Sequence, residues 1–219
     1  MTANFSALLL DIEGTVCPIS FVKETLFPYF LQQADSLPHS KDLHIRSLLQ
    51  KFEVDDVVAH IRSLVSQDIK DPVLKELQGL VWLNGYASGE ITAPVYTDAI
   101  NYIQTTEKPV YIYSSGSVKA QKLLFQYVAG DQGTIDLRPK LQNYYDINTS
   151  GTKTNSQSYM KIANDIGLPP AEILFLSDNS LELDAAKDAG LQVKLVIRPG
   201  NAPVDYQGKY DIVTNFNVL

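Results

Sequence analysis

Hydrophobic positions along this chain follow two different periods, and the change from one to the other divides it. Ala7-Leu8-Leu9-Leu10 is an unbroken apolar run ending in Asp11-Ile12-Glu13-Gly14-Thr15. A short apolar run bounded by a turn signal predicts a buried strand. From about Val22 to Ala93 the spacing is helical and predicts no strand. Val57, Val58, Ile61, Leu64 and Val65 share one helix face. Val73, Leu74, Leu77, Leu80 and Val81 share another, after Asp71-Pro72, a favourable helix start. Gly85 and Gly89 are expected to break that second helix. From Pro94 onward helices and strands alternate. Helices are predicted around Val95 to Ile103, Val118 to Tyr127, Gln157 to Ile166 and up to Ala189, the last closed by Gly190. Strands are predicted at Val110 to Tyr113, Ile173 to Leu176, Val193 to Ile197 and, more weakly, Tyr210 to Val213. Thr154 and Gln157 have the spacing of a capping box for the third helix, and Gly167 with Pro169 marks its stop.

Strands alternating with helices predict an α/β fold with a parallel sheet. The strand at 7–10 has to join that sheet, so the core is built from two chain segments. The expected division is residues 1–18 with 94–219 as the α/β core, and an all-helical insertion at 19–93. In such sheets ligands bind at the carboxyl ends of the strands. That rule brings distant clusters together: Asp11-Ile12-Glu13-Gly14-Thr15, Ser114-Ser115-Gly116-Ser117 and Ser177-Asp178-Asn179 each follow a predicted strand. Alternate residues of an extended chain point the same way, so Asp11 and Glu13 share a side. A buried strand ending on paired acids is costly unless they bind something, typically a cation. The rival reading is a strand end followed by a solvated acidic turn.

Composition narrows the class. The 219 residues are 45% hydrophobic and 20% charged, enough apolar content for a sizeable core. Net charge is -7 with no basic cluster, which argues against nucleic acid or an anionic membrane as partner. Cys17 is the single cysteine, so no disulfide forms within the chain and a reducing compartment is expected. The N-terminal residues lack a basic region and a long apolar stretch, so no secretory leader is expected, and no run is long enough to span a bilayer. A cytoplasmic protein is expected, with the nucleus also open.

At this point the chain resembles the haloacid dehalogenase-like superfamily of aspartate-nucleophile phosphatases. The pattern is an acid-x-acid-Gly-Thr loop, a strand ending in Ser or Thr, a lysine, and a strand ending in acids. Here these are Asp11 to Thr15, Ser114, Lys153 in Ser150-Gly151-Thr152-Lys153-Thr154, and Asp178. The second acid is Glu13, where most of the superfamily has Asp. With Pro18-Ile19-Ser20-Phe21-Val22-Lys23-Glu24-Thr25-Leu26-Phe27-Pro28-Tyr29, Tyr113 to Gln121, Phe175 to Asn179 and Arg198-Pro199-Gly200-Asn201, this resembles the enolase-phosphatase branch (acireductone synthase) of methionine salvage. A monomer is expected. The resemblance implies a Rossmann-like parallel-sheet core with an inserted helical cap and Mg²⁺ as cofactor. It also implies a small phosphorylated diketone as substrate, 2,3-diketo-5-methylthiopentyl-1-phosphate, which is enolised and then dephosphorylated.

The residue types suit that chemistry. Asp11 is assigned as nucleophile, forming an aspartyl-phosphate. Glu13 protonates the leaving oxygen and later activates water. Asp11, Asp178 and the backbone carbonyl of Glu13 are the expected Mg²⁺ ligands. Ser114 and the backbone N–H groups of Ser115 and Gly116 are expected to bind phosphate oxygens, and Lys153 to bind substrate and stabilise transition-state charge. Glu182 either serves this site or is an exposed helix acid, and Asp184 is expected at the surface. Lys23, Glu24, Tyr86 and Glu90 are candidates for the enolisation base. Trp82 and the tyrosines of the helical insertion are read mainly as packing, with the lining of a pocket for a methylthio tail as the alternative. His39, His44 and His60 lack ligand spacing. Cys17 fits no cysteine-phosphatase pattern, since Lys23, not Arg, lies six positions on. Rival functions are a phosphatase for another small metabolite, a phosphoacceptor signalling module and a catalytically inactive relative.

Overall fold

A computed structural model describes residues 5–204 and 208–219. Met1 to Asn4, part of the stretch read as lacking a leader, lie outside them. The chain forms two compact units, one from the residues up to Ser20 together with Ala93–Leu219, the other from Phe21–Thr92.

The larger unit is an α/β layer structure. Its strands are β1 (Ala7–Leu10), β2 (Val110–Tyr113), β3 (Val128–Gly130), β4 (Gly133–Ile135), β5 (Leu141–Tyr145), β6 (Ile173–Ser177), β7 (Gln192–Val196) and β8 (Asp211–Val213). Six form one parallel sheet in the order β5-β2-β1-β6-β7-β8, and β3 pairs with β4 in a small antiparallel hairpin. Every residue of β1 and β6 is buried, as expected for central strands covered on both faces. Leu8 lies level with Val110 and Leu174, and Leu10 with Ile112 and Leu176, so β1, β2 and β6 end side by side. The sheet supports a core containing Leu9, Tyr113, Tyr159, Phe175, Leu183 and Leu195.

The smaller unit is helical. A single π-helical turn at Val22–Leu26 runs into α1 (Phe27–Gln33), followed by α2 (Leu43–Gln50), α3 (Val57–Ser66) and α4 (Pro72–Ser88). Asp42, Asp56 and Asp71 cap the last three, each carboxylate accepting first-turn amides. Phe30, Leu48, Ile61, Leu74, Leu77 and Val81 fill its own core. The remaining helices belong to the larger unit: α5 (Thr97–Thr105), α6 (Val118–Gln126), α7 (Ser156–Ile166) and α8 (Ser180–Asp188).

Three local expectations are corrected. Gly85 does not break α4; it is buried inside it, and Gly89, in a left-handed conformation, ends it. The cap of α7 is Asn155, whose side chain accepts from Gln157 N, rather than Thr154. The sheet also contains β5, whose Leu141-Gln142-Asn143-Tyr144-Tyr145 shows no clean alternation because it is an edge strand paired on one side only.

Gly85 explains itself by space. A Cβ there would lie 2.7 Å from Ile91 Cδ1 and from the Tyr29 ring, which its hydroxyl anchors on Glu90 at 2.7 Å. Gly79, on the same helix, has nothing among the described residues within 4 Å of that position. Gly79→Ala should therefore stabilise by up to about 1 kcal/mol through helix propensity. Gly85→Ala should destabilise by about 1–2 kcal/mol, overpacking outweighing the same gain. Urea unfolding of the two variants reads the opposite signs.

Candidate active site

β1 ends at Leu10, and Asp11 follows at the carboxyl end of the central strand, only 5% exposed. Its amide donates to Leu176 O at 3.0 Å, so the sheet fixes its backbone. The chain then folds back on itself: the amides of Thr15, Val16 and Cys17 converge on Ile12 O at 3.1, 2.9 and 3.1 Å. Gly14 makes this turn with φ +76, and a Cβ on it would lie 2.3 Å from Asp178 Oδ2. Glycine is needed twice over, for the left-handed backbone and for the hollow that the Asp178 carboxylate fills.

Lys153 reaches the same place from the loop before α7. Its Nζ lies 2.5 Å from Asp11 Oδ1 and 2.7 Å from Glu182 Oε2, with both ends of the Asp11 pair almost fully buried. Asp11 Oδ1 also accepts from its neighbour Ile12 N at 2.8 Å, while Oδ2 takes one longer bond from Ser177 Oγ at 3.1 Å. Glu182 therefore belongs to the site and is no exposed helix acid. Burial disfavours charge on Lys153, but the carboxylates of Asp11 and Glu182 outweigh it and raise the ammonium above its ordinary value.

The acids experience the opposite. Burial, then the charge of Asp11, raises Glu13. Burial, then Asp11 and Glu182, pushes Asp178 up to about 7. Glu182 is raised by burial and Asp11 against the pull of Lys153. Four carboxyl groups thus surround one ammonium, and the excess negative charge is what a divalent cation would relieve. Asp11, Asp178 and the Glu13 carbonyl are hard oxygen donors of the kind Mg²⁺ takes. Among the described residues no group of three or more His, Cys, Asp or Glu is placed to hold a metal. The expected set does not conflict with this, because its third donor is a main-chain oxygen and Mg²⁺ usually keeps several waters.

Ser114 is fully buried at the end of β2, with Oγ 3.3 Å from Glu13 Oε2. Gly116 N donates to this same Oγ at 3.1 Å, so that amide is engaged within the protein and would exchange partners to meet a phosphate. Ser115 is exposed. The loop is fastened by residues to which the sequence assigned no role. Gln121 Nε2 bridges Gly116 O at 2.8 Å and Tyr145 O at 2.9 Å. Asp146, just after the unpredicted β5, accepts from Val118 N at 3.0 Å and from Asn148 and Thr149. The Lys153 loop is held likewise: Tyr113 OH donates to Gly151 O, Ser158 Oγ to Thr152 O and Tyr159 OH to Lys153 O, each at 2.7 Å. Only knowing that β5 ends beside β2 would have drawn attention to Asp146.

The other candidates have surroundings of their own. Cys17 is buried, and burial followed by Glu13 and Asp11 raises its thiol well above its ordinary value, against a thiolate nucleophile. Asp184 is half-buried and pairs with Lys209 and Tyr210. In the helical unit, Lys23 and Glu24 are exposed, Glu90 accepts from Tyr29 OH, and Tyr86 is buried. Trp82 is a packing residue there: its indole donates to Leu26 O at 2.9 Å and its ring stacks on Phe27. His44 lies 3.1 Å from Glu76, His60 packs edge-on to Phe52, and His39 is exposed.

The raised Asp178 has a stability consequence with a definite sign. A carboxyl that holds its proton more tightly when folded stabilises the fold fully below its unfolded value, roughly pH 4, and loses that contribution as pH rises through the folded one. Glu13 and Glu182 act in the same direction. In the presence of a chelator, the unfolding temperature should fall between about pH 5.5 and about pH 8. Asp178→Asn should flatten that slope in thermal melts.

Known proteins resemble this chain in sequence and fold. The family model for haloacid dehalogenase-like hydrolases matches residues 5–190. Enolase-phosphatase E1 of Lachancea thermotolerans is 62% identical over 215 residues, 98% of this chain and 99% of that one. Enolase-phosphatase E1 of Saccharomyces cerevisiae is 54% identical over 228 aligned positions, with both chains fully covered. The crystal structure of the UTR4 protein of Saccharomyces cerevisiae superposes with a TM-score of 0.93 at 53% identity, covering 99% of this chain and 100% of that one. CbbY from Rhodobacter sphaeroides, solved with phosphate, shares the fold at a TM-score of 0.63 and 17% identity, covering 97% and 95% of the two chains. The chain belongs to the haloacid dehalogenase-like hydrolases and, within them, to the enolase-phosphatase E1 family.

Proposed function

We propose that this protein is a bifunctional enolase-phosphatase that converts 2,3-diketo-5-methylthiopentyl-1-phosphate to 1,2-dihydroxy-3-keto-5-methylthiopentene, an acireductone, and phosphate. The observation that carries the reading is the buried carboxylate of Asp11 at the end of the central strand, paired with Lys153 and flanked by Asp178. The full-length match to enolase-phosphatases supports the substrate. In this reading residues 1–18 and 94–219 are the catalytic core and residues 19–93 are the cap. The protein works as a monomer in the cytoplasm, with the nucleus a second location. No helix among the described residues is long and apolar enough to cross a membrane.

Asp11 attacks phosphorus in line with the ester oxygen and becomes an aspartyl-phosphate. Glu13, held protonated to higher pH by burial and by Asp11, gives its proton to the leaving oxygen. It then takes a proton from the water that hydrolyses the acyl phosphate. Lys153 stays charged and neutralises the oxygens on which charge accumulates. Ser114 and the amides of Ser115 and Gly116 orient the phosphate. Asp11, Asp178 and the Glu13 carbonyl would hold Mg²⁺, which when bound supplies positive charge that offsets the repulsion between phosphate and carboxylate.

Two variants divide the half-reactions. With the diketo phosphate as substrate, Asp11→Asn should stop phosphate release while enol absorbance still develops. Phosphate release near the parent rate would refute the nucleophile. Lys153→Ala should lower kcat for phosphate release by about 100-fold or more, as loss of a preorganised charge typically does. Generic phosphate esters with Mg²⁺ give the second readout. Turnover of them also excludes a signalling module that only stores the phosphoryl group.

A further inference from the structure

The loop after β7, Arg198 to Asn201, grips the back of the nucleophile turn. Asn201 Nδ2 donates to Gly14 O at 2.9 Å and Arg198 Nε to Thr15 O at 3.1 Å. Arg198 is itself immobilised. Its Nη1 pairs with Asp98 at 2.9 Å and donates to Thr214 O at 3.0 Å, and its guanidinium lies between the rings of Tyr96 and Phe216, 4.4 and 5.0 Å from their centroids. The loop is closed by Asn201 N donating to Arg198 O. Arg198, Asn201, Thr214 and Phe216 lie beyond residue 190, where the match to the wider family ends, whereas Gly14, Thr15, Tyr96 and Asp98 lie within it.

The side-chain oxygen of Asn201 faces the catalytic side. A Cβ placed on Gly14 would meet Asp178 Oδ2 at 2.3 Å and Asn201 Oδ1 at 3.1 Å, so both acceptors border one hollow. Asn201 Oδ1 is buried and has no donor among the described residues, and neither Thr15 Oγ1 nor Arg198 Nη2 has a partner among them. Buried polar atoms without protein partners call for a bound donor or acceptor, normally water. Asn201 thus does two things at once. It fixes the carbonyl next to Glu13, whose own carbonyl is a proposed ligand, and it shapes the hollow that receives Asp178.

We propose that Asn201 is a positioning residue for the divalent-cation site, acting through Gly14 on the Glu13 carbonyl and on Asp178. This rests on the reading in which Asp11, Asp178 and the Glu13 carbonyl hold Mg²⁺. Outer-shell partners of metal ligands typically affect affinity by about 10- to 100-fold.

The test is isothermal titration of the full-length protein with MgCl₂, comparing the parent, Asn201→Ala, the milder Asn201→Ser and Asp178→Asn. Circular dichroism and thermal melts in chelator confirm that each is folded. Asn201→Ala should weaken Mg²⁺ binding at least about 10-fold, shrink the Mg²⁺-induced rise in unfolding temperature and shift the Mg²⁺ dependence of turnover while kcat at saturating Mg²⁺ changes much less. Asn201→Ser should fall between it and the parent, and alone decides the matter if Asn201→Ala does not fold. Parent-like Mg²⁺ affinity in a folded Asn201 variant, with Asp178→Asn impaired, overturns the role of Asn201. Parent-like affinity in Asp178→Asn instead overturns the cation reading beneath it.

Discussion

The buried ion pair of Lys153 with Asp11 is the interaction on which the rest of the larger unit depends. Taking an ammonium and a carboxylate out of water costs several kcal/mol per ion, and their attraction offsets this only where geometry is good and the remaining hydrogen-bonding capacity is met. Here the offset is assembled from several sides. Glu182 gives Lys153 a second anion, and the rings of Tyr113 and Phe175 lie 5.7 and 5.9 Å from the ammonium. Ser177 and Ile12 donate to Asp11. Three side-chain hydroxyls hold successive carbonyls of the lysine loop, from Gly151 to Lys153. Such a pair is a poor source of net stability, but it fixes the position of both charges before a substrate arrives, which is the form of electrostatic stabilisation that lowers barriers.

Sheet order explains why these groups can meet. β1 lies between β2 and β6, so the strand carrying Asp11 has as its two neighbours the strands carrying Ser114 and Asp178. The chain leaves β1 for a neighbour on each side, and the crevice at such a divergence is where parallel sheets bind ligands. The helical segment Phe21–Thr92 leaves the core just after the turn at Gly14 and returns at Ala93, so the sheet accommodates it without interrupting a strand. Tyr96 N then donates to Val16 O at 2.9 Å, closing the returning chain onto the loop that follows Asp11.

Much of this was legible in the sequence because it depends on local pattern. The runs ending at Leu10, Tyr113 and Leu176 are strands because continuous apolar residues suit a position covered on both faces. The acids and hydroxyls that follow them are exposed to one another by topology alone. What escaped depends on tertiary context. β5 carries Gln142 and Asn143 at a sheet edge, where no alternation is enforced, and with it went Asp146. Gly85 reads as a helix breaker until the Tyr29 ring is seen to occupy the space beside it. Glu182 could be placed only once Lys153 and Ser177 were seen to reach it.

The division of labour between inner and outer residues follows from chemistry. Groups that touch the reacting atoms must be carboxylate, ammonium or hydroxyl, so their identities and spacings are constrained and readable. Groups that hold them need only a donor or acceptor at the right place. Backbone carbonyls accept from tyrosine at Gly151 and Lys153, from asparagine at Gly14, from arginine at Thr15 and from glutamine at Gly116. Each is a main-chain oxygen on or within two residues of a functional residue, and the donors come from β2, α6, α7 and the loop after β7. The precision of the site is therefore set by side chains that recognise backbone, and changing one should alter geometry and affinity before it alters the chemistry itself.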